Sequence, residues 1–368
     1  MKNRTSILLR RQGVPMDGFK KVRAMSFPRQ VLTGHDVIGQ AGSMCEEFEF
    51  QGTGLIVTGQ TTGELAARQV EQILRDKGFE VQSIVVGEAS RANLVKVEEV
   101  AKDVKASFLL GVGGGSKIDL AKLASFNLKM PFLSVPTSAS HDGIASPRAS
   151  IKDGGNSLSL NASVPMGVIA DTKVIFKAPY RLLASGCADV ISNTAAILDW
   201  QLADRLRSEF ISSSAASLAK YAAEAIIENA AAIKPNLEES VWVAIRPIII
   251  SGISMAVAGS SRPTSGSEHM FSHVLDRIAP GKALHGEQCG VGSIMMMYLH
   301  GGDWQRIRDA LQLIGAPTSA EELGVTREQV IEALVHAHEL RKDRYTILGD
   351  RGLTPDAAER LATITKVI

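Results

Sequence analysis

The sequence lacks a cysteine framework, an excess of charge and a secretion signal. Its 368 residues include only 3 cysteines, widely separated, so no disulfide set is predicted and a reducing compartment is favoured. The formal net charge of +1 gives no broad field for attracting nucleic acid or an acidic membrane. No signal peptide is recognisable, since the apolar run SILL is much too short. These absences predict a cytoplasmic protein with no nucleic-acid partner.

Long uninterrupted hydrophobic runs are also missing. The most apolar stretch, VAIRPIIISGISMAVAG, contains Arg246 and Pro247, which favours a buried helix over a membrane span. We therefore expect no stable membrane insertion. The locally basic residues 1–25 are predicted to be a solvated N-terminal extension, because the rest of the chain has the composition of an ordinary globular protein.

The first half of the chain alternates strand and helix patterns. Four compact apolar runs predict strands at 54–59, 81–87, 107–112 and 131–138. Helical patterns separate them, at 63–76, at 90–105 with Ser90 as N-cap, and from Lys117. Apolar strands separated by helices are typical of a parallel sheet covered on both faces. Ligands of such sheets bind beyond the carboxyl ends of the strands.

The second half shows only helical patterns. Its alanine-rich, 3.6-periodic segments are 179–204, 212–231, 237–259, 264–278, 286–300, 304–314 and 326–343. The fold class predicted is thus an α/β N-terminal domain with a parallel sheet, residues 1–178, followed by an all-α domain, residues 179–368. The boundary is placed where Pro179 opens the first long helix. The cleft between the two domains is the expected site.

A glycine cluster, GVGGGS at 111–116, follows the third predicted strand. It fits neither the P-loop pattern, since Ile118 follows Lys117, nor the G-x-G-x-x-G pattern, since Ser116 replaces the third glycine. Glycines let a ligand lie against the backbone, and the following helix directs free N–H groups at it. The cluster therefore predicts phosphate binding; the alternative is a tight strand-to-helix turn without a ligand.

Three histidines and one aspartate of the second half form a candidate metal set. His269 and His273 are four residues apart on one predicted helix, and His285 follows at a predicted turn. Asp189 lies in an otherwise apolar helix, where a buried carboxylate needs a partner. One aspartate and two histidines can hold a catalytic metal with an open position. On the residues alone, helix-capping or core roles for these side chains remain equally open.

The motif GGGSKIDLAK at 113–122, with PFLSVPTSAS at 131–140, resembles the iron-containing alcohol dehydrogenase and dehydroquinate synthase superfamily. The resemblance implies that the glycine loop binds the pyrophosphate of NAD or NADP and that the second loop lines its nicotinamide side. The cofactor-binding residues so implied are Gly114, Gly115, Ser116, Lys117, Ile118, Asp119, Thr137, Ser138, Ala139 and Ser140. It further implies one Zn²⁺ per subunit held by Asp189, His269 and His285, with His273 beside the substrate.

The segments HDGIASPRAS, ADVISN and LDWQLA resemble more specifically the archaeal family of glycerol-1-phosphate dehydrogenases. That resemblance implies catalytic roles for Asp142, Asp189 and His273 and a cofactor contact for Ser146. The implied reaction is the reversible reduction of dihydroxyacetone phosphate to sn-glycerol 1-phosphate, which supplies the backbone of archaeal membrane ether lipids. Because no acidic residue follows the first predicted strand before Glu64, both NADH and NADPH are expected to be accepted. A homo-oligomer is expected from the alanine- and glycine-rich helices.

Three rival functions are compatible with parts of the pattern. Glycerol dehydrogenase or another polyol dehydrogenase would share the scaffold and the metal set. A dehydroquinate synthase-type lyase would share the cofactor loop but would need more basic residues around the metal. A nucleotide sensor without turnover would not need the intact set of Asp189, His269 and His285.

Overall fold

The computed structural model describes residues 24–153 and 156–368. The predicted N-terminal extension, residues 1–25, therefore lies outside the described residues except for its last two positions. The described chain divides into a sheet region, up to Asp171, and a helical region from Tyr180 onward. The predicted domain boundary at residues 178 and 179 falls in the connection between them.

The sheet region contains a six-stranded, all-parallel sheet in the order β1-β8-β5-β4-β2-β3. Its strands are β1 (Gln30–Gly34), β2 (Thr53–Thr58), β3 (Glu80–Val85), β4 (Ala106–Gly113), β5 (Phe132–Pro136) and β8 (Gly167–Asp171). Successive side chains of β2 enter different apolar clusters: Ile56 packs on one face, and Leu55 and Val57 pack on the other. Both faces of the sheet are thus covered, which is why the inner strands β2, β4 and β5 are largely apolar and buried.

The sequence pattern identified four of these six strands. Strands β1 and β8 were not anticipated; they pair with each other, and β8 also pairs with β5. A second unanticipated element is an antiparallel hairpin of β6 (Arg148–Asp153) and β7 (Asn156–Asn161), which forms its own two-stranded sheet. The hairpin is tied to the sheet region by a hydrogen bond from Lys152 N to Ala89 O (2.7 Å).

Helices pack on both sides of the sheet. They are α1 (Ala41–Glu47), α2 (Arg68–Asp76), α3 (Arg91–Asp103), α4 (Gly115–Leu128) and α5 (Thr172–Phe176). A short helical turn and a π turn, Gln60–Thr62 and Gly63–Ala67, precede α2. Ser90 is the N-cap of α3, as predicted, and its hydroxyl accepts a hydrogen bond from Asn93 N (3.3 Å).

The helical region follows, and within the described residues no strand comes after β8. Its helices are α6 (Tyr180–Ile191), α7 (Asn193–Arg207), α8 (Ser213–Glu228), α9 (Glu238–Ala258), α10 (Ser267–Ile278), α11 (His285–Leu299), α12 (Trp304–Ile314), α13 (Ala320–Leu323), α14 (Arg327–His336) and α15 (Pro355–Ile364). The segment predicted as one helix, 179–204, is divided at Ser192 into α6 and α7, and α15 was not anticipated.

Helix α9 is long and apolar enough to pass a length-and-composition test for a membrane span, but 67% of the tested window is buried inside the protein. It contributes to the largest apolar cluster, in which its Ile245 and Ile248 are fully buried. A parallel-sheet α/β region followed by a helical region is the predicted fold class, which the structure confirms.

Candidate active site

The glycine turn connects the end of β4 to the start of α4. Gly114 is the N-cap of α4, and having no side chain it leaves the first N–H groups of the helix without a side-chain acceptor. A Cβ at Gly113 would lie 2.8 Å from Lys117 Cβ, and one at Gly114 would lie 3.1 Å from Ser138 Oγ. The turn therefore offers uncapped N–H groups, and the helix dipole favours an anion there.

Lys117, on the first turn of α4, reaches across neighbouring strand ends. Its Nζ donates a hydrogen bond to Gly87 O (2.6 Å), just beyond β3. A Cβ at Gly59, just beyond β2, would lie 2.7 Å from Lys117 Cε. Burial lowers the pKa of Lys117. Three strand ends and one cation thus meet at the edge of the sheet where the sequence predicted a ligand.

The loop after β5, residues 137–146, lies against this turn. Thr137 N donates to Gly113 O (3.0 Å), which continues the pairing of β4 and β5 into the loop. Further along, the His141 ring lies directly over Gly115, where a Cβ would come within 1.9 Å of His141 Nε2. His141 Nδ1 accepts a hydrogen bond from Gly143 N (2.9 Å), and burial lowers its pKa. The two predicted cofactor segments are therefore adjacent.

Lys122 fixes the far end of this loop. Its side chain is completely buried, and its Nζ donates to Gly143 O and to Arg148 O (2.7 Å), and lies 3.4 Å from Asp119 Oδ1. The other oxygen of Asp119 accepts from Ser150 N (3.1 Å). A buried ammonium with several oxygen acceptors is satisfied, and removing it would leave the buried Asp119 carboxylate without its cation. The aspartate and lysine of the motif thus hold the loop in place.

Two predicted cofactor contacts, Asp119 and Ser146, are almost fully buried, with 4% and 1% exposure. The Ser146 hydroxyl donates to Arg148 O (3.1 Å) and accepts from Arg148 N (3.3 Å). Both side chains are already engaged within the loop, so their cofactor roles stay predictions.

The loop at residues 137–146 also packs against glycines on two helices of the helical region. A Cβ at Gly186, on α6, would lie 1.9 Å from Ala139 O, and one at Gly252, on α9, would lie 2.4 Å from Asp142 O. Ser185 Oγ donates to Ser140 O (3.2 Å). The loop backbone thus packs directly on helix backbone at both points, which only glycine permits.

Three side chains predicted as a metal set lie together in the helical region. Asp189 Oδ1 on α6 is 3.7 Å from His269 Nε2 on α10 and 3.9 Å from His285 Nε2 at the start of α11. The rings of His269 and His285 are 4.9 Å apart between centroids. Cys289 joins them: one ligand atom from each of the four residues lies within 4.8 Å of the others.

Hydrogen bonds fix the tautomers of the two histidines. Glu268 Oε1 accepts from Gly266 N (2.7 Å) and lies 2.8 Å from His269 Nδ1, so an ionised Glu268 places the ring proton on Nδ1. Ser272 Oγ donates to Gln288 Oε1 (2.6 Å) and therefore accepts from His285 Nδ1 (3.1 Å). In both rings the lone pair is left on Nε2, which faces Asp189. Such outer partners commonly orient metal-ligating histidines.

Burial is the main cause of the pKa shifts in this cluster. It lowers the pKa of His269 well below its usual value and also lowers that of His285, so both rings are neutral near pH 7. Burial raises the pKa of Asp189 to about 7 and that of Glu268 to about 8. The imidazoles are thus ready to bind a metal ion, and the Asp189 carboxyl group would give up its remaining proton when the ion binds.

The donor set therefore fits a divalent metal. Two imidazole nitrogens and a carboxyl oxygen converge from three helices, and among the described residues the structure shows no lysine or arginine paired with the buried Asp189. Nitrogen and oxygen donors in this number suit zinc and several other divalent ions.

His273 and Asp142 flank the cluster. The His273 ring is stacked on His285 at 5.8 Å between centroids, and its Nδ1 lies 4.0 Å from Asp276 Oδ2. Asp142 N donates to Asp189 Oδ2 (3.0 Å), and Asp142 Oδ2 accepts from Ser251 Oγ (2.8 Å). Burial, together with the nearby Asp189 carboxylate, raises the pKa of Asp142 well above its usual value.

The two predicted halves of the site meet in this loop. His141 covers Gly115 at the glycine turn, and the next residue, Asp142, is hydrogen-bonded to Asp189 of the cluster. A ligand spanning the turn and the cluster therefore needs to cross only one short loop.

Several side chains of the site were not identified from the sequence. Cys289 follows His285 by four residues on one helix face, a spacing that could have revealed it. Ser251 and Glu268 carried no such signal, because each is identified only by the residue it contacts. His300, which follows α11, has a buried side chain whose Nε2 lies 3.0 Å from Asp199 Oδ1.

The chain is similar to a known class of dehydrogenases in both sequence and fold. The sequence profile of the iron-containing alcohol dehydrogenases matches residues 32–179. Solved structures share the fold: a glycerol dehydrogenase from Schizosaccharomyces pombe superposes with a TM-score of 0.78 at 19% identity, covering 94% of this chain and 90% of that one. A probable glycerol dehydrogenase from Sinorhizobium meliloti gives 0.78 at 18% identity, covering 94% and 99%. The class is that of the iron-containing alcohol dehydrogenases.

Sequence relatives define the family within this class. Glycerol-1-phosphate dehydrogenase (NAD(P)+) from Methanosarcina mazei is 56% identical over 344 residues, which is 94% of this chain and 96% of that protein. The protein of the same name from Methanothermobacter thermautotrophicus is 56% identical over 346 residues, covering 94% and 99%. That from Picrophilus torridus is 48% identical, covering 95% and 99%. The chain belongs to the glycerol-1-phosphate dehydrogenase family, and the predicted resemblance is confirmed.

Proposed function

We propose that this protein catalyses the reversible reduction of dihydroxyacetone phosphate to sn-glycerol 1-phosphate with NADH or NADPH, using one divalent metal per subunit, with zinc as the expected ion. The observation that carries the proposal is the loop joining the glycine turn to the cluster, with His141 over Gly115 and Asp142 bonded to Asp189. The relatives at 48–56% identity, all named for this activity, support it.

The glycine turn is proposed to bind the pyrophosphate of the dinucleotide. Gly114 leaves the first N–H groups of α4 uncapped, and Ser116 and Lys117 lie on the same first turn. Thr137 and Ser138 follow β5 beside the turn, where Ser138 Oγ lies against Gly114. With the pyrophosphate at the turn, the nicotinamide would extend along the loop toward Asp142, so that hydride transfer takes place beside the cluster.

Asp189, His269 and His285 are proposed to hold the metal through Oδ1 and the two Nε2 atoms. When bound there, the metal would polarise the substrate carbonyl and stabilise the alkoxide that develops on hydride transfer, a contribution of several kcal/mol. Asp142 positions Asp189 through its backbone N–H, and Ser251 in turn holds the Asp142 carboxyl group. His273, beside His285, and Asp142 are the candidates for holding the proton that the alkoxide needs.

The product of the reaction tests this function. We expect the purified protein to convert dihydroxyacetone phosphate with NADH, and also with NADPH, into the sn-1 enantiomer of glycerol phosphate. A chiral assay of the product, with metal analysis of the same sample, measures the stereochemistry and the metal together. Formation of the sn-3 enantiomer would contradict the proposal.

Free glycerol is the matched control substrate, because the structural neighbours with this scaffold include glycerol dehydrogenases. Oxidation of free glycerol at a rate similar to that of sn-glycerol 1-phosphate would favour the polyol dehydrogenase alternative. Dinucleotide binding with neither metal nor turnover would favour the sensor.

We further propose that the protein is a cytoplasmic homo-oligomer that supplies the glycerophosphate backbone of archaeal ether lipids. Large apolar side chains are exposed on the helical region at Leu206, Phe210 and Tyr221, and these could pack against a second copy. Light scattering on the protein as it elutes from a size-exclusion column should give a mass at least twice the 39.3 kDa of one chain. A mass of one chain at micromolar concentration would contradict the oligomer.

A further inference from the structure

The structure brings a fourth donor to the metal cluster. Cys289 lies on α11, one turn after His285, and its side chain is completely buried. Its Sγ is 3.6 Å from His285 Nε2 and 3.9 Å from His285 Nδ1. We propose that Cys289 is the fourth ligand of the metal in the substrate-free protein, an inference that rests on the metal site of the proposed function.

The separation of the donors supports this coordination. In a tetrahedral site with metal–sulfur bonds of about 2.3 Å and metal–nitrogen bonds of about 2.0–2.1 Å, sulfur and nitrogen are about 3.6 Å apart. The Sγ to His285 Nε2 distance equals that value, but Sγ is also only 3.9 Å from Nδ1, so it lies beside the ring and the thiol must turn toward the Nε2 lone pair to bind the ion. The separations of Asp189 Oδ1 from the two Nε2 atoms, 3.7 and 3.9 Å, exceed the corresponding tetrahedral edge of about 3.4 Å by only a few tenths of an ångström.

Helix geometry explains why the thiol faces the same point as His285. Residues four apart share one face of an α-helix, so the side chains of His285 and Cys289 extend from α11 in the same direction. Asp189 and His269 approach from α6 and α10, so three helices enclose the four donors. Gly290, the next residue, packs against Ala188 of α6, where a Cβ would be 2.9 Å from Ala188 Cβ. This close approach keeps α11 and α6 near enough for Cys289 to reach the cluster.

Coordination by Cys289 has two chemical consequences. The thiol gives its proton to solvent when the ion binds, so the sulfur enters the site as a thiolate. The substrate oxygen must then take the position that the sulfur held, because a site with four protein donors is closed. Thiolate donation also favours zinc over harder ions such as magnesium or manganese.

Cobalt substitution tests this ligand without measuring turnover. The full-length protein is freed of metal with a chelator and titrated with Co²⁺ alone while its absorption spectrum is recorded. We expect visible d–d bands of a tetrahedral site together with a near-ultraviolet thiolate-to-cobalt charge-transfer band. In Cys289→Ser the charge-transfer band should disappear, and Co²⁺ affinity should fall at least as much as the ~10–100-fold that loss of an outer-shell partner costs.

Cys187→Ser is the matched control, since Cys187 is also completely buried, on α6, but is not one of the four clustered donors. It should keep the charge-transfer band. X-ray absorption on the zinc form of the unaltered protein gives a second measurement, with one sulfur expected at about 2.3 Å.

The possible outcomes separate this inference from the proposed function. Tetrahedral d–d bands without charge transfer, a band that survives in Cys289→Ser, or a zinc shell without sulfur would overturn the thiolate ligand and leave the proposed metal site intact. Failure of the unaltered protein to bind Co²⁺ or zinc at all would instead contradict the metal site itself, and the thiolate ligand with it.

Discussion

Changing His285 to alanine is expected to lower kcat by about a thousandfold or more and to leave dinucleotide affinity nearly unchanged. His285 Nε2 lies 3.9 Å from Asp189 Oδ1, and its loss removes one of the converging lone pairs proposed to hold the metal. Metal polarisation contributes several kcal/mol to the transition state, and each ~1.4 kcal/mol is a factor of ten in rate. Steady-state kinetics, metal analysis and a fluorescence titration with NADH measure the three effects on one sample.

His336→Ala is the control for this change, because His336 is on the surface at the end of α14 and bonds only to Glu339 (3.1 Å) among the contacts the structure shows for it. It should retain activity and metal. If His285→Ala lost dinucleotide affinity together with turnover, the glycine turn and the cluster would not have separate tasks. That result would contradict the division of labour between the sheet region and the helical region.

Replacing Gly186 with alanine should destabilise the protein by about 3 kcal/mol or more and also reduce kcat, by about a hundredfold. The added Cβ would lie 1.9 Å from Ala139 O, a backbone atom that cannot turn away as a side chain could. Either α6, which carries Asp189 three residues later, or the loop that carries Asp142 must then move. Denaturant unfolding measures the loss of stability, and kinetics on the folded variant measure the displacement of the two aspartates.

Gly39→Ala is the matched control. Gly39 is exposed, a Cβ there would meet nothing within 4 Å, and its φ is not in the left-handed region. Alanine should therefore be neutral or stabilise by up to about 1 kcal/mol, since it reduces the freedom of the unfolded chain. Equal unfolding midpoints for Gly186→Ala and Gly39→Ala would show that the loop adapts to a larger side chain, contrary to the packing described.

Strands and turns of the sheet region could be predicted from the sequence wherever a few neighbouring residues are enough to identify them. Uninterrupted apolar runs such as β4 and β5 identify strands buried on both faces, and the glycine cluster after β4 locates a ligand turn. The hairpin β6–β7 was not predicted, because its strands alternate polar with apolar residues. Strand β1 was not predicted, because it is a short strand at the edge of the sheet. Such strands are defined by their pairing partners more than by their own composition.

What the sequence by itself determined is the alternation of apolar strands and helices, the glycine turn, and a small set of side chains able to bind a metal. What only the tertiary structure decided is which of those side chains meet. Asp189 comes 80 residues before His269, and His285 comes 16 residues after it; the three converge because α6, α10 and α11 pack around them. The same packing brings in Cys289 and places the loop between Gly115 and Asp189. The physical reason is that periodicity and turn formation depend on neighbouring residues, whereas convergence depends on contacts between helices distant in sequence.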